Sequence, residues 1–167
     1  MAGTVTFKGL LMHLVGDMPE PGAVAPDFTL SDNELNAKTL VDYKNKVLVL
    51  VCVPSLDTPV CDMEVRRFNT EAAGLSDKIV IAAVSRDLPF AQARWCGAAG
   101  VKAVVTLSDF RDGSFGKAWG VYIDELGLLA RAVFIVKDGK IEYVQLVPEV
   151  TEQPDFDAVL QAVQKLV

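Results

Sequence analysis

The segment from Pro54 to Cys61 combines residue types that could carry out thiol chemistry. Thr58 is a favourable N-cap, and Pro59 suits the first helical position, where no backbone N–H is needed. Cys61 is therefore expected in the first turn of a helix, where free N–H groups and the helix dipole favour an anion. Because the thiolate is the nucleophilic form of cysteine, these residues predict attack by sulfur on an electrophile.

Two acidic neighbours oppose this chemistry. Asp57 and Asp62 lie on either side of Cys61 in the sequence, and negative charge nearby favours the neutral thiol. A reactive thiolate would therefore need a buried cation from another part of the chain. An inert cysteine that only packs in the core explains the same residues equally well.

The elements that must position Cys61 follow from the apolar pattern. The run Val47–Val53 is apolar and rich in β-branched residues, which predicts a strand buried on both faces, as in a parallel sheet. The helix after Cys61 is predicted to reach about Ala73 and to end at Gly74. The other predicted elements are a hairpin over 5–15, strands over 27–30, 78–84, 104–107, 132–136 and 141–147, a helical turn over 39–43, and helices over 89–97, 114–119 and from 154 onward.

The order of these elements indicates the fold class. Strands that alternate with helices imply parallel pairing in an α/β fold. Asp138-Gly139 lies between two β-rich runs, which predicts a terminal antiparallel hairpin. A mixed central sheet flanked by helices is the thioredoxin-like architecture, here with an N-terminal β-hairpin. With no linker or repeat in the sequence, one domain over residues 1–167 is expected.

Composition and charge exclude several classes of protein. Hydrophobic residues make up 51% of the 167 residues and charged residues 23%, so disordered and fibrous classes are excluded. The formal net charge of −6 argues against nucleic acid or an anionic membrane as a partner. The sequence shows neither an apolar run of transmembrane length nor a secretory signal, so we expect a cytoplasmic protein.

The cysteine pattern restricts the possible redox and metal sites. The three cysteines are Cys52, Cys61 and Cys96, and none forms a C-x-x-C pair, which argues against zinc ribbons and thioredoxin-type dithiol motifs. His13, the single histidine, is far in sequence from every cysteine. It is expected to be a strand or hairpin residue rather than a metal ligand or a catalytic base.

The pattern Pro54-x-x-x-Thr58-x-x-Cys61 resembles the active-site signature of the peroxiredoxins. The full string from Ser55 to Cys61 is similar to that of one subgroup, the bacterial thiol peroxidases or atypical two-cysteine peroxiredoxins. Further stretches resemble the same subgroup: Ala25–Phe28, Arg67–Asn69, Asp87–Cys96, Ser108–Arg111 and Leu129–Phe134. The likeness covers nearly the whole chain.

The resemblance implies a role for five residues. Cys61 would be the peroxidatic cysteine, and Cys96 the resolving cysteine. Thr58 would contact the thiolate and the peroxide through its hydroxyl. Arg131 would be the required cation, and Pro54 would shield the pocket. From the residues alone, a surface ion-pair role is favoured for Arg131, and only the motif reverses this. Thr58 could be only a helix cap, and Cys96 could be a core residue.

Cys52 and Trp95 lie outside these roles, and the sequence departs from the family pattern at Asn45 and at Leu10-Leu11, which replaces a more polar hairpin tip. Cys52, inside an apolar strand, is expected to be an inert core thiol, and Trp95 is expected to pack rather than to contact substrate. Asn45 stands where glycine is common in the family, just before the central strand. None of these residues belongs to the predicted site.

The resemblance also implies an activity. The protein would reduce hydrogen peroxide and organic hydroperoxides to water and alcohols through a sulfenic acid on Cys61. A Cys61–Cys96 disulfide would follow, and thioredoxin would reduce it, with no metal or organic cofactor and with a homodimeric protein. A redox relay, a protein dithiol–disulfide oxidoreductase and a non-catalytic binding module are the competing classes. The hypothesis requires a guanidinium beside Cys61 and a sulfur atom that a small oxidant can reach.

Overall fold

The structure is a computed structural model that describes residues 3–72 and 76–167. The predicted helix end at Ala73 and Gly74 therefore lies outside the described residues. In chain order the elements are β1 (Thr4–Phe7), β2 (Leu10–Val15), β3 (Leu30–Ser31), β4 (Ala37–Lys38), a 3₁₀ turn (Leu40–Tyr43), β5 (Val47–Cys52), α1 (Pro59–Ala72), β6 (Ile79–Ser85), α2 (Pro89–Ala99), β7 (Val104–Ser108), α3 (Ser114–Ala118), β8 (Tyr122–Ile123), β9 (Leu128–Leu129), β10 (Ala132–Lys137), β11 (Lys140–Leu146) and α4 (Phe156–Gln164).

The main sheet is mixed, as predicted. Its seven strands follow the order β11-β10-β5-β6-β7-β3-β4. The pairs β5–β6 and β6–β7 are parallel, and β10 pairs with both β5 and β11 in the antiparallel sense. Every residue of β5 is buried, which explains why its sequence is apolar throughout rather than alternating. The central strand ends at Cys52, directly before the segment that carries the candidate site.

A second, four-stranded sheet has the order β1-β2-β8-β9. The N-terminal hairpin was predicted, but β8 and β9 were not. Each of these two strands is only two residues long. A pair of residues is too short to show the alternation by which a strand is identified in a sequence.

The core has one layer on each face of the main sheet. Helices α1, α2 and α4 cover one face through Val65, Phe68, Trp95 and Val159 among others. Helix α3 and the hairpin cover the other face, where Trp119 lies in an aromatic group. Cys61 belongs to the first layer and Cys52 to the second. The sheet therefore separates these two thiols.

Local backbone geometry corrects the predicted bounds of two elements. The strand predicted over 27–30 begins only at Leu30. Residues 27–29 belong to no regular element, and the Asp27 carboxylate accepts from the Phe28 N–H at 2.8 Å. Helix α2 continues to Ala99, two residues past the predicted end, and stops at Gly100, which has a φ of +69°.

Asn45 also adopts a left-handed conformation, with a φ of +69°. Glycine reaches this conformation without strain, and asparagine tolerates it better than most other residues. The requirement for positive φ explains why glycine is common at this position. None of the helices in the described ranges is long and apolar enough to cross a membrane.

Candidate active site

Cys61 lies in the first turn of α1, as predicted, because Pro59 is the first helical residue. The Asp62 N–H donates to the Thr58 carbonyl at 2.9 Å, which starts the helical hydrogen bonding. The Cys61 side chain is completely buried in the layer between the sheet and the helices. The sulfur atom is thus held at the N-terminal end of a 14-residue helix.

Arg131 supplies a cation at the sulfur atom. Its Nη2 donates to Cys61 Sγ at 3.3 Å and its Nη1 to Glu64 Oε1 at 2.8 Å. Its Nε donates to the Val150 carbonyl at 2.8 Å. Arg131 is only 2% exposed, so it is not a surface ion-pair residue. Because three acceptors hold one planar group, the direction of the guanidinium is set before any substrate binds.

Glu64 is a buried residue of this site that the sequence interpretation missed. Burial raises its pKa to about 7, although the charge and the hydrogen bond of Arg131 act in the opposite direction. Its Oε2 has no hydrogen-bond partner in the described part of the chain, which also disfavours the ionised form. A usable signal was present, since Glu64 follows Cys61 by three residues and so lies on the same helix face.

The Thr58 hydroxyl forms its hydrogen bond with the backbone rather than with the Cys61 sulfur. It donates to the Ser55 carbonyl at 2.8 Å and is exposed, and no hydrogen bond joins it to Cys61 among the described residues. The Thr58 hydroxyl is thus hydrogen-bonded to the backbone of the turn before α1, while the Cys61 side chain is buried in the core. Thr58 therefore occupies the N-cap position through its carbonyl, without a side-chain cap.

Asp87 fastens the turn that precedes α1. Its carboxylate accepts from Ser55 Oγ at 2.7 Å and from the Leu56 N–H at 2.8 Å. Ser85 Oγ at the end of β6 donates to the same carboxylate at 2.8 Å. The ends of two parallel strands therefore set where the Cys61 helix begins.

Cys96 is half-buried in α2 and lies away from Arg131. Its sulfur atom is 3.6 Å from Thr106 Oγ1 on β7. Burial raises the pKa of the Cys96 thiol, and the hydrogen bond with Thr106 partly offsets this. Strands β7 and β10 have two strands between them, so the partners of the two sulfur atoms belong to separate parts of the sheet. Both cysteines are free thiols.

The chain matches the family Redoxin over residues 20–160. It belongs to this family. The redoxin is 51% identical to the thiol peroxidase of Bacillus subtilis, with 98% of each chain covered. It is 50% identical to the thiol peroxidase of Halalkalibacterium halodurans, covering 95% of this chain and 96% of that one. Identity at this level over nearly the full chain shows that the redoxin is a thiol-dependent peroxidase of the peroxiredoxin type, as predicted.

Solved structures show the same fold as this redoxin. The structure of a peroxiredoxin-like protein from Aquifex aeolicus has a TM-score of 0.93 and 43% identity, covering 100% of this chain and 99% of that one. A thiol peroxidase from Chromobacterium violaceum has a TM-score of 0.86, covering 97% of this chain and 95% of that one, at 21% identity, a likeness that shows the fold alone. The predicted thioredoxin-like α/β fold is confirmed.

Access to the sulfur of the redoxin is closed in this structure. Cys61 has an exposure of 0%, and Pro54 is buried as well. Thr58 and Pro59, at the start of α1, are exposed. Of the two requirements set by the sequence, the guanidinium is in place. The second is not met in this structure, because the Cys61 sulfur is buried and a small oxidant does not reach it.

The remaining candidates lie outside the site of the redoxin. Cys52 is completely buried in the other core layer, and burial raises the pKa of its thiol. His13 lies in β2 with its Nδ1 at 2.7 Å from Glu125 Oε2, on the exposed hairpin. Over residues 3–72 and 76–167, no three His, Cys, Asp or Glu side chains are grouped so as to hold a metal ion.

Glu64 makes the stability of the redoxin depend on pH. Its pKa is raised to about 7 in the folded protein from an ordinary value near 4.5, so the folded state binds more protons between these values and is destabilised as pH rises. We expect the free energy of unfolding, relative to that of Glu64→Gln, to fall by about 3 kcal/mol from pH 4.5 to pH 8. Urea titrations of both proteins across this range measure the difference. A difference that stays constant or rises with pH would contradict the assignment.

Proposed function

We propose that this peroxidase reduces hydrogen peroxide and organic hydroperoxides through Cys61. The thiolate attacks the distal peroxide oxygen, so that an S–O bond forms as the O–O bond breaks. The hydroxide or alkoxide that leaves takes a proton and becomes water or an alcohol, while Cys61 becomes a sulfenic acid. The observation that carries this proposal is the 3.3 Å contact between Arg131 Nη2 and Cys61 Sγ at a helix N-terminus.

Arg131 serves two stages of this reaction in the proposal. Its positive charge favours the thiolate, and its fixed donors can receive a peroxide oxygen as negative charge moves to the leaving group. The N–H groups in the first turn of α1 provide further donors of fixed direction. In the proposal, Thr58 binds the peroxide once the first turn has moved and its hydroxyl has left Ser55, and Pro54 keeps water from the sulfur.

The resolving step is assigned to Cys96. Its thiol condenses with the Cys61 sulfenic acid, so that an S–S bond forms, the S–O bond breaks and water leaves. Disulfide geometry requires Cα atoms about 4.4–6.8 Å apart. The separate partners of the two sulfurs, Arg131 and Thr106, support a step in which the start of α1 or the Cys96 helix unwinds locally.

The experiment that tests the proposal separates the two cysteines. Cys96→Ser is expected to consume one equivalent of peroxide at the rate of the unaltered protein, because the first step needs only Cys61. Turnover with a dithiol reductant is expected to fall at least about 100-fold, because the disulfide cannot form. Stopped-flow oxidation and a coupled turnover assay give the two rates. If Cys96→Ser consumed no peroxide, the two roles would be wrongly assigned.

Thioredoxin is the proposed reductant. A dithiol attacks the disulfide by exchange and leaves both protein thiols reduced. Turnover that is sustained by thioredoxin, thioredoxin reductase and NADPH would support this partner. Turnover sustained only by another thiol would exclude it, and a trapped mixed disulfide with a different client protein would favour the redox relay.

An exposed apolar surface supports the proposed homodimer. Leu88 and Phe90, at the start of α2, are 52% and 65% exposed. The neighbouring Asp57 and Arg94 have opposite charges, with their side-chain atoms 3.9 Å apart. A two-fold interface can pair such a patch with its own copy. Light scattering is expected to give twice the mass of one chain, and the mass of a single chain would exclude the dimer.

We also propose that residues 1–167 act as one cooperative domain in the cytoplasm. The hairpin is joined to the other end of the chain, since the Thr6 N–H donates to the Pro148 carbonyl at 2.8 Å and the Val150 N–H to the Thr6 carbonyl at 2.8 Å. Reduced thiols persist in the cytosol, where this chemistry needs them. A single unfolding transition and recovery in the cytosolic fraction are the expected results.

A further inference from the structure

The residues next to the two redox cysteines are joined to each other. Asp62 follows Cys61, and Trp95 precedes Cys96. Trp95 Nε1 donates to Asp62 Oδ1 at 2.8 Å, and Arg66 Nε donates to the same oxygen at 2.8 Å. The guanidinium of Arg66 also lies 5.8 Å from the centre of the Trp95 ring. We call Asp62, Arg66 and Trp95 the Asp62 cluster.

The Asp62 cluster continues along one face of α1. Arg66 Nη1 donates to the Ala99 carbonyl at 3.4 Å, near the end of α2. One turn later, Asn69 Oδ1 accepts from the Ala103 N–H at 2.8 Å. Positions 62, 66 and 69 share a helix face because their spacings are four and three residues. The second half of α2 and the segment that follows it are therefore fastened to α1 by polar contacts.

The Asp62 cluster lies next to both redox cysteines, unlike the contacts at Ala99 and Ala103. Its hydrogen bond joins the residue after one redox cysteine to the residue before the other. Unwinding the first turn of α1 moves Asp62, and unwinding α2 at Cys96 moves Trp95. Either route to contact between the two sulfur atoms must therefore break the bond between Trp95 Nε1 and Asp62 Oδ1.

We propose that the Asp62 cluster controls the resolving step: it holds α1 and α2 in the closed arrangement and so sets how fast Cys61 and Cys96 form their disulfide. Asp62 and Trp95 are positioning residues in this proposal and do not touch the peroxide. The proposal rests on the proposed function, because it needs Cys96 as the partner of Cys61.

The rate of this step decides between two fates of the sulfenic acid. In the first, the Cys96 thiol displaces the sulfenic oxygen as water and forms the S–S bond. In the second, a further hydroperoxide transfers an oxygen atom to the Cys61 sulfur, which yields a sulfinic acid and releases water or an alcohol. The first fate is independent of peroxide concentration, and the second is proportional to it. A closed cluster therefore favours overoxidation at high peroxide.

Trp95→Phe tests the proposal, because it removes the N–H donor and keeps an aromatic ring in the core layer. We expect the rate of disulfide formation to rise about tenfold, as for the loss of one hydrogen bond to a carboxylate. The first oxidation of Cys61 is expected to change less than about twofold. The peroxide concentration that converts half of the protein to sulfinic acid is expected to rise about tenfold. Rapid quenching with thiol alkylation and mass spectrometry measures all three quantities.

Trp119→Phe is the matched control. Trp119 is also buried, but it lies in the other core layer, and its Nε1 has no hydrogen-bond partner in the described part of the chain. It is expected to lower global stability without changing the ratio of disulfide to sulfinic acid. If Trp95→Phe and Trp119→Phe changed the ratio of disulfide to sulfinic acid equally, general destabilisation rather than the Asp62 cluster would control disulfide formation.

Asp62→Ala provides a second, independent removal of the hydrogen bond and should reproduce the faster disulfide formation of Trp95→Phe. Because the Asp62 charge opposes the Cys61 thiolate, this variant is also expected to speed the first oxidation. Unchanged or slower disulfide formation in both variants would overturn the proposal for the Asp62 cluster. The proposed function would still stand in that case, provided that the unaltered protein forms the Cys61–Cys96 disulfide. If the unaltered protein formed no such disulfide, the resolving role of Cys96 and this proposal would both be wrong.

Discussion

Cys61→Ala is expected to abolish peroxide reduction, with a loss of at least about 10⁴-fold in the rate of peroxide consumption. In the proposed mechanism the Cys61 sulfur atom both attacks the peroxide and stores the oxygen atom as a sulfenic acid, so no reaction remains without it. No other thiol in the described part of the chain lies beside the guanidinium of Arg131. Stopped-flow consumption of hydrogen peroxide by the reduced protein measures the loss.

Cys52→Ala is the matched control for this prediction. Cys52 is as deeply buried as Cys61, but the main sheet separates it from the site. Its replacement is expected to keep the rate of peroxide consumption within about twofold of that of the unaltered protein, with a modest loss of stability. Comparable activity losses in the two variants would indicate that the fold, rather than the Cys61 sulfur, had been disturbed.

Arg131→Met should give the second-largest effect, on two separate quantities. The rate constant for Cys61 oxidation is expected to fall about 100- to 1000-fold, because a fixed donor to the developing negative charge is lost. The free energy of unfolding is expected to fall by about 3–5 kcal/mol at pH 8, because Glu64 is left buried without its cation. Stopped-flow kinetics and urea unfolding measure these two effects.

The double variant Arg131→Met with Glu64→Gln separates the two effects. Removing both charges leaves no ion buried without a partner, so much of the lost stability should return. The oxidation rate should stay low, because the sulfur still lacks its guanidinium. Recovery of the rate together with the stability would mean that Arg131 acts only through the fold.

Glu64 and the Asp62 cluster link these results to the rest of the chain. Glu64 shares Arg131 with the sulfur atom, so one buried guanidinium serves the active site and the stability of α1 at once. The Asp62 cluster lies on the side of α1 that faces α2. Helix α1 thus carries the proposed nucleophile Cys61, the partner of its cation, Glu64, and the contact of Asp62 with the helix of the proposed resolving cysteine.

Several features of this protein follow from the sequence alone. The buried strand β5, the helix that begins at Pro59 and the Asp138-Gly139 hairpin were all predicted. These features depend on local rules: apolar periodicity, the fixed φ of proline and the turn preference of Asp-Gly. The family signature around Cys61 predicted the peroxidase activity that the relatives confirm.

Other features were decided only by the tertiary structure. Trp95 meets Asp62 across 33 residues, which nothing in the sequence indicated. The family resemblance implied that Arg131 meets Cys61 across 70 residues, but only the structure gave the geometry of that contact. No local pattern contains such distances, because they depend on how strands are ordered in the sheet and how helices pack on it. The direction of the Thr58 hydroxyl and the complete burial of the sulfur are likewise results of packing. The sequence determined which groups could react, and the packed sheet decided which of them lie together.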